Sequence, residues 1–257
     1  MPSTVDQLTF FLLKKVNQAI RDYNLVSNGD RIAVAVSGGH DSLSLLHLLQ
    51  ARQRSACERY ELVAIHVHGD ARGPDNTPEH PALLEWLARS DIEYVVVPME
   101  LPSGEPLPLK CQRCTWNRRK TLFLTAHQLG CNVVALGHHF DDAVETTLMN
   151  LFYQRRLEGL APKASYFGGQ FTLIRPLIYV PKKELARLAR AASFPPSPPA
   201  CPESERSRRR LIQKVLQLVE QNNHHVRRNV FRAAMRRASQ AKPQNFFASR
   251  NSPLDRE

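Results

Sequence analysis

The sequence contains no run of eighteen or more apolar residues, so no membrane-spanning helix is expected. It contains neither the GxxxxGKS/T spacing of a Walker loop nor GxGxxG, which excludes the two commonest nucleotide fingerprints. No internal repeat is present. Cysteine is scarce, five residues and an odd number, and no secretion signal precedes them, so a disulfide framework is not expected. The opening stretch MPSTVDQLTFFLLKKVNQAIRDYN lacks a positive charge ahead of its apolar part and lacks a small-residue cleavage site. It reads as an amphipathic helix rather than a signal peptide, and the expected location is cytoplasmic. Acidic residues are also in short supply. Twenty-four Asp and Glu stand against 35 Lys and Arg, and the net charge of +11 favours a polyanionic partner over a membrane.

What is present is an alternation of strand-like and helix-like periods. Near-continuous apolar runs at 31–36, 61–69, 92–100 and 132–139 have the composition of strands covered on both faces. Helical segments at 42–53, 79–90, 115–129 and 141–153 separate them, which predicts a doubly wound α/β fold with a parallel sheet and right-handed crossovers. A short strand ending at Pro176 and an amphipathic helix over 181–192 follow. SFPPSPPACPES, 193–204, holds five prolines and reads as a rigid connector. Two helices rich in arginine come next, with a frayed tail after about residue 240. The expected division is an N-terminal helix, 1–25; an α/β domain, 26–192; and a proline-rich connector with a basic helical extension, 193–257.

In such sheets ligands sit beyond the carboxyl ends of the strands. Two loops fall there. In Ser37-Gly38-Gly39-His40-Asp41-Ser42 the glycines let the backbone turn sharply and approach a ligand, and the N–H groups at the start of the next helix suit phosphates. Ser37 and Ser42 add hydroxyl donors. Asp41 is either a helix cap or a ligand for Mg²⁺ on those phosphates. In ALGHHFDDAVETTLMNLFY, Gly137 lets the strand end tightly while His138, His139, Asp141 and Asp142 crowd the turn. Val144, Leu148, Leu151 and Phe152 form the expected buried stripe of the helix. The acidic pair also suits a helix N-terminus without any catalytic role.

Cys111 and Cys114 form a CxxC at the start of a helix, and Cys201 stands alone in the connector. Two thiolates at this spacing can hold a metal or cluster, or form a redox pair. Three cysteines set in loops could hold three irons of a [4Fe-4S] cluster and leave the fourth iron open. Cys57 and Cys131 read as structural thiols.

AVSGGHDS resembles the pyrophosphate loop of the N-type ATP pyrophosphatases, usually SGGKDS, and GHHFDDAVET resembles their second motif. The resemblance implies an adenine nucleotide alpha hydrolase-like domain that binds ATP through Ser37, Gly38, Gly39, His40, Asp41, Ser42 and Gly137. It departs at His40, where the family has lysine. The order of CxxC, GHHxDD, YQRRLEGLAPK, IRPLIY and a late cysteine before a basic helix is similar to the tRNA 2-thiocytidine synthetases, a tRNA-cytidine 2-sulfurtransferase family. That resemblance runs from about residue 10 to 240. It departs also in the single late cysteine, where relatives often show CxxC, and in HVHGDARGPDNT.

The resemblance implies an AMP-forming tRNA sulfurtransferase with ATP, Mg²⁺ and a [4Fe-4S] cluster on Cys111, Cys114 and Cys201. Asp41, His138, Asp141 and Asp142 become the candidate catalytic residues. Lys163 and Arg175 are expected to steady phosphates or tRNA, and Arg208, Arg209, Arg210, Arg227 and Arg228 to grip the tRNA backbone. The implied reaction adenylates the C2 oxygen of an anticodon-loop cytidine and then inserts sulfur from a cysteine desulfurase or from sulfide. A homodimer is compatible with this. Two alternatives stay open: a base-adenylating ligase with structural zinc, and a non-catalytic RNA-binding or redox-sensing relative whose loop has degenerated at His40.

Overall fold

The computed structural model describes residues 3–74, 80–198 and 207–240, with backbone only at 167 and 237–240. The order is α1 (Thr4–Tyr23), β1 (Asp30–Ala35), α2 (His40–Gln53), β2 (Tyr60–His68), α3 (Pro81–Ala88), β3 (Glu93–Pro98), α4 (Cys111–Gln128), β4 (Val133–Ala135) and α5 (Phe140–Gln154). Then come β5 (Lys163–Tyr166), β6 (Phe171–Ile174), α6 (Lys182–Ala191), α7 (Arg208–Glu220) and α8 (Val226–Gln240). Six strands form one sheet in the order β3-β2-β1-β4-β6-β5. All neighbours are parallel except β5 and β6, which pair antiparallel from Lys163 opposite Ile174 to Tyr166 opposite Phe171. The chain leaves β1 toward β2 on one side and later returns to β4 on the other. The crevice at that reversal is where doubly wound sheets bind ligands.

Strand alternation divides the interior into two layers. Ile32, Val34, Leu62, Ala64, Val133 and Ala135 face one layer, with α1, α2, α5 and α6. Ala33, Val63, Ile65, Val134 and Leu136 face the other, covered by Leu122, Phe123 and Ala126 of α4. Helices α7 and α8 pack on α5 and place Ile212, Leu216 and Phe231 in the first layer. Local sequence sets the ends of these helices. Ser3 and Asp6 close a reciprocal capping box on α1, at 3.2 and 3.0 Å. Pro81 opens α3, where its missing N–H costs nothing.

Several expectations change. The segment after α5 is not a loop up to the last strand but an antiparallel hairpin, because β5 needs only a tight glycine turn to pair with β6. The stripe on α5 stops early. Val144 is buried, but Leu151 and Phe152 are 42% and 56% exposed. Cys111 and Cys114 lie in the first helical turns of α4 rather than in loops. Cys131 is buried, which pushes its thiol pKa up, whereas Cys57 is exposed. Among the described residues no helix is long and apolar enough to cross a membrane. Cys201 and the tail after residue 240 lie outside the described residues.

Candidate active site

The first wall of the site is the turn from β1 into α2. Gly38 takes φ +81°, a left-handed conformation that side chains rarely adopt. A Cβ there would also stand 3.3 Å from both Leu83 Cδ2 and Pro198 Cδ. The turn is closed by serine: Ser37 N–H donates to Ser42 Oγ at 3.1 Å, and Ser42 Oγ–H donates to the Gly39 carbonyl at 2.8 Å. The amides of Ser42 and Leu43 also close on that carbonyl. The amides of Gly38, His40 and Asp41 are left without an acceptor among the described residues. These donors, together with the positive end of α2, suit a phosphate. His40 is the first residue of that helix.

The second wall is the turn from β4 into α5. A Cβ on Gly137 would meet backbone, 3.1 Å from Ser42 N and Cα and 3.2 Å from the Asp41 carbonyl carbon. Glycine here lets the two turns touch. His139 caps α5: the Asp142 N–H donates to His139 Nδ1 at 3.3 Å, and the His139 N–H donates to Asp142 Oδ2 at 3.1 Å. The other ring nitrogen, Nε2, lies 3.5 Å from Asp41 Oδ2 and 3.4 Å from Asp142 Oδ2. Burial pulls the imidazole toward the neutral form, but Asp41, then Asp142 and Asp141, outweigh it and hold its pKa above the ordinary histidine value. The capping bond to Nδ1 favours the neutral ring. Nδ1 also lies 3.9 Å from Asp141 Oδ2. Its neighbour behaves oppositely. Burial, with the Arg175 charge, pushes His138 down to about 3, so it is a neutral imidazole at ordinary pH. The two adjacent histidines are thus shifted in opposite directions.

The arginines expected on tRNA divide. Arg209 Nη1 donates to Asp142 Oδ1 at 2.6 Å and stands 3.5 Å from Glu145. Arg227 Nη1 donates to Asp141 Oδ1 at 3.1 Å while its other nitrogens hold Glu220. Both are therefore turned inward, onto the carboxylates of the second motif. Burial alone raises the Asp142 carboxyl, but His139, then His138 and Arg209, hold it below the usual carboxylate range. Arg208, Arg210 and Arg228 are exposed, and Arg208 lies over the Tyr153 ring at 4.7 Å. Arg175 is buried, its guanidinium on the Ala161 carbonyl and its pKa lowered to about 10 by burial. It faces the interior, next to His138, rather than solvent. Lys163 is exposed on the edge strand and donates to the Asn24 carbonyl.

A cavity of about 370 Å³ opens where the two turns meet α4. Its lining includes Ser37, Asp41, Ser42, Gly137 and His138 on one side and Cys114, Thr115, Arg118 and Arg119 on the other. Two nitrogens of these side chains, His138 Nδ1 and Arg118 Nε, are buried with no hydrogen-bond partner among the described residues. A larger groove, about 570 Å³, lies along α1 and α6 around Phe11 and Lys15. It holds none of the motif residues, whereas the smaller cavity is lined by both turns. Asp41 is the motif carboxylate in that cavity wall, since Asp141 and Asp142 are engaged by Arg227 and Arg209.

Cys114 lines the cavity, and Cys111 stands exposed one turn earlier, at the start of α4. Among the described residues no three ligating side chains come together as a metal site. The connector nevertheless reaches the cavity's edge, with Pro198 against Gly38 and the Pro196 carbonyl accepting from His80 Nε2 at 2.8 Å. Sequence reasoning missed the hub role of His139 and the inward turn of Arg209 and Arg227. It also missed Arg118 and Arg119, although they stand one turn beyond the CxxC that it singled out.

Comparison with known proteins agrees with this geometry. The PP-loop domain family matches residues 11–217. The tRNA-cytidine(32) 2-sulfurtransferase of Syntrophotalea carbinolica is 40% identical, over 87% of this chain and 88% of its own. That of Geobacter sulfurreducens is 37% identical, over 89% and 91%. Among solved structures, the U34-tRNA thiolase NcsA from Methanococcus maripaludis with its [4Fe-4S] cluster superposes with a TM-score of 0.68 at 21% identity. That match covers 91% of this chain and 81% of the thiolase and speaks for the fold. A phosphate-shaped turn, a histidine–aspartate hub and a thiol in one cavity wall, carried by a chain this similar to its relatives, place it in the PP-loop family, among the tRNA-cytidine(32) 2-sulfurtransferases.

Proposed function

We propose that this protein thiolates a tRNA cytidine at C2, the base at position 32 in the relatives' names, using ATP to activate the C2 oxygen. The observation that carries the reading is the meeting, in one cavity, of the Ser37–Ser42 turn, His138 and Cys114. ATP lies with its phosphates on the free amides of the turn, and Asp41 is placed to hold Mg²⁺ there. The C2 oxygen attacks the α-phosphate. A new P–O bond forms, the α–β bridging bond breaks, and pyrophosphate leaves with the electron pair. The developing charge is met by the loop amides. C2 now carries AMP, a far better leaving group than oxide. A sulfur nucleophile adds at C2 and AMP departs. Neutral His138 is available to accept a proton, and the exposed Arg208, Arg210 and Arg228 face the tRNA backbone.

The thiols fit an iron–sulfur cluster. Cys114 lines the cavity among buried nitrogens that lack acceptors, which suits a group carrying negative sulfur. Pro198, three residues before Cys201 in the sequence, packs against the phosphate turn. Cys111, Cys114 and Cys201 are therefore the ligands we assign. When bound, a cluster with three protein ligands supplies an open iron that can hold exogenous sulfur.

The test is iron and acid-labile sulfide on protein purified without oxygen, alongside tRNA-dependent release of AMP and pyrophosphate. About four irons per chain, lost in Cys111→Ala, together with thiolated tRNA, is the expected result. Zinc or no metal in wild type, with tRNA left unthiolated, refutes the sulfur chemistry.

A further inference from the structure

The outward side of α4 carries a feature that neither the phosphate turn nor the thiols use. Trp116 is 51% exposed, although tryptophan ordinarily buries most of its area. The Arg113 guanidinium stands 5.4 Å from its ring centre and the Lys120 ammonium 5.9 Å. Arg113 is itself anchored by an ion pair to Glu105, so the cation beside the ring is held in place. Residues 110–128 contain five cations, Lys110, Arg113, Arg118, Arg119 and Lys120, and no acidic residue. Trp116 adjoins Thr115 and lies one turn from Arg119, and both of these line the cavity. The ring therefore stands one residue from the cavity wall, on a helix that carries cations and no acid.

We propose that Trp116 is a stacking platform for a nucleobase next to the modified one, with Lys120 on the adjoining phosphate. This rests on the reading of the cavity as the entry for an RNA base. A strand that delivers one base into the cavity carries its neighbour past this ring. Stacking on an exposed aromatic face within a basic groove is how proteins hold single-stranded nucleic acid without reading its sequence. A protein partner is the poorer fit. Its interface core is built from clustered apolar side chains, and the nearest exposed apolar residue along this line of α4, Leu124, is two turns away. RNA supplies both the flat apolar face and the negative charge.

The chain has two tryptophans, and Trp86 packs at 5.5 Å against the Phe194 ring. In Trp86→Phe the remaining indole is therefore the probe. An anticodon stem-loop hairpin is expected to quench its fluorescence, while a blunt duplex of the same charge and polyglutamate leave it unchanged. Trp116→Ala is expected to weaken hairpin binding about 5- to 150-fold, the range for loss of one stacked base. ATP affinity and the unfolding midpoint should stay at wild-type values, and Trp116→Phe should recover most of the affinity. Hairpin affinity of Trp116→Ala within twofold of wild type overturns the platform and leaves the RNA reading intact. Quenching by polyglutamate as strong as by the hairpin shows a merely cationic surface and also overturns it. A wild-type protein that binds no tRNA at all refutes both this proposal and the function on which it rests.

Discussion

Replacing Arg209 with glutamine tests whether the basic C-terminal helices serve the catalytic motif or only the RNA. The Arg209–Asp142 contact is 2.6 Å long, with the two side chains 39% and 18% exposed. A hydrogen bond to a charged group contributes about 1.5–3 kcal/mol when buried, and a fully exposed ion pair about 0–1 kcal/mol. A pair at this depth should contribute about 1–2 kcal/mol, discounted for the exposure of Arg209. For a chain of this size each kcal/mol moves the unfolding midpoint by about 2–4 °C, so Arg209→Gln is expected to melt about 2–8 °C lower. The decisive assay is a double-mutant cycle of Arg209→Gln and Asp142→Asn in denaturant, with an expected coupling of about 1–2 kcal/mol. Affinity for tRNA should change less than twofold, because the guanidinium is spent on Asp142. Arg210→Gln and Arg228→Gln should do the reverse: unchanged stability, weaker tRNA binding, and a salt dependence shallower by about one ion per lost phosphate contact. A coupling below about 0.3 kcal/mol, with tRNA affinity down tenfold in Arg209→Gln, would sink the reasoning.

Gly137→Ala should cost about 1–3 kcal/mol, because its Cβ meets the Ser42 and Asp41 backbone rather than a movable side chain. Calorimetry should show ATP binding lost with it, and wild-type ATP affinity in that variant would argue against contact between the two turns. Stability should peak near the ordinary histidine pKa, about 6.5. His138, His66 and His47 have folded values held below it by burial, so their contribution is lost as pH falls. His139 has a raised folded value, so its contribution is complete below about 6.5 and is lost as pH climbs through that raised value. Unfolding midpoints of His139→Asn measured against pH should lose the alkaline decline and keep the acid one. His40→Lys should lower the KM for ATP in pyrophosphate release by about fivefold, since unit charges 4 Å apart attract by about 1 kcal/mol even at the dielectric of water. An unchanged KM would mean that position 40 does not face the phosphates.

The frame was legible because its signals are local. Apolar runs and turn chemistry located β1 to β4 and most of the helices to within a few residues. Glycine and serine spacing located the phosphate turn, and the CxxC pointed to α4. What escaped depends on long-range pairing. Nothing near Arg209 or Arg227 in the sequence shows that they face Asp142 and Asp141, since basic helices facing RNA and basic helices facing buried carboxylates have the same periodicity. The hairpin at β5 escaped because KASY is too short and too polar to read as a strand until β6 is beside it. The stripe on α5 was read too long for a related reason: periodicity says which side of a helix is apolar, not how far along the helix that side is covered.

The inward turn of Arg209 and Arg227 also has a consequence during synthesis. The phosphate turn leaves the ribosome early, and Asp141 and Asp142 follow it, but the cations that neutralise them arrive only with the last two helices. A nascent chain that has made the sheet but not α7 and α8 holds three neighbouring carboxylates around His139 with no counterion from the C-terminal helices. The carboxylates of the second motif are therefore neutralised by these arginines only once both C-terminal helices have been made.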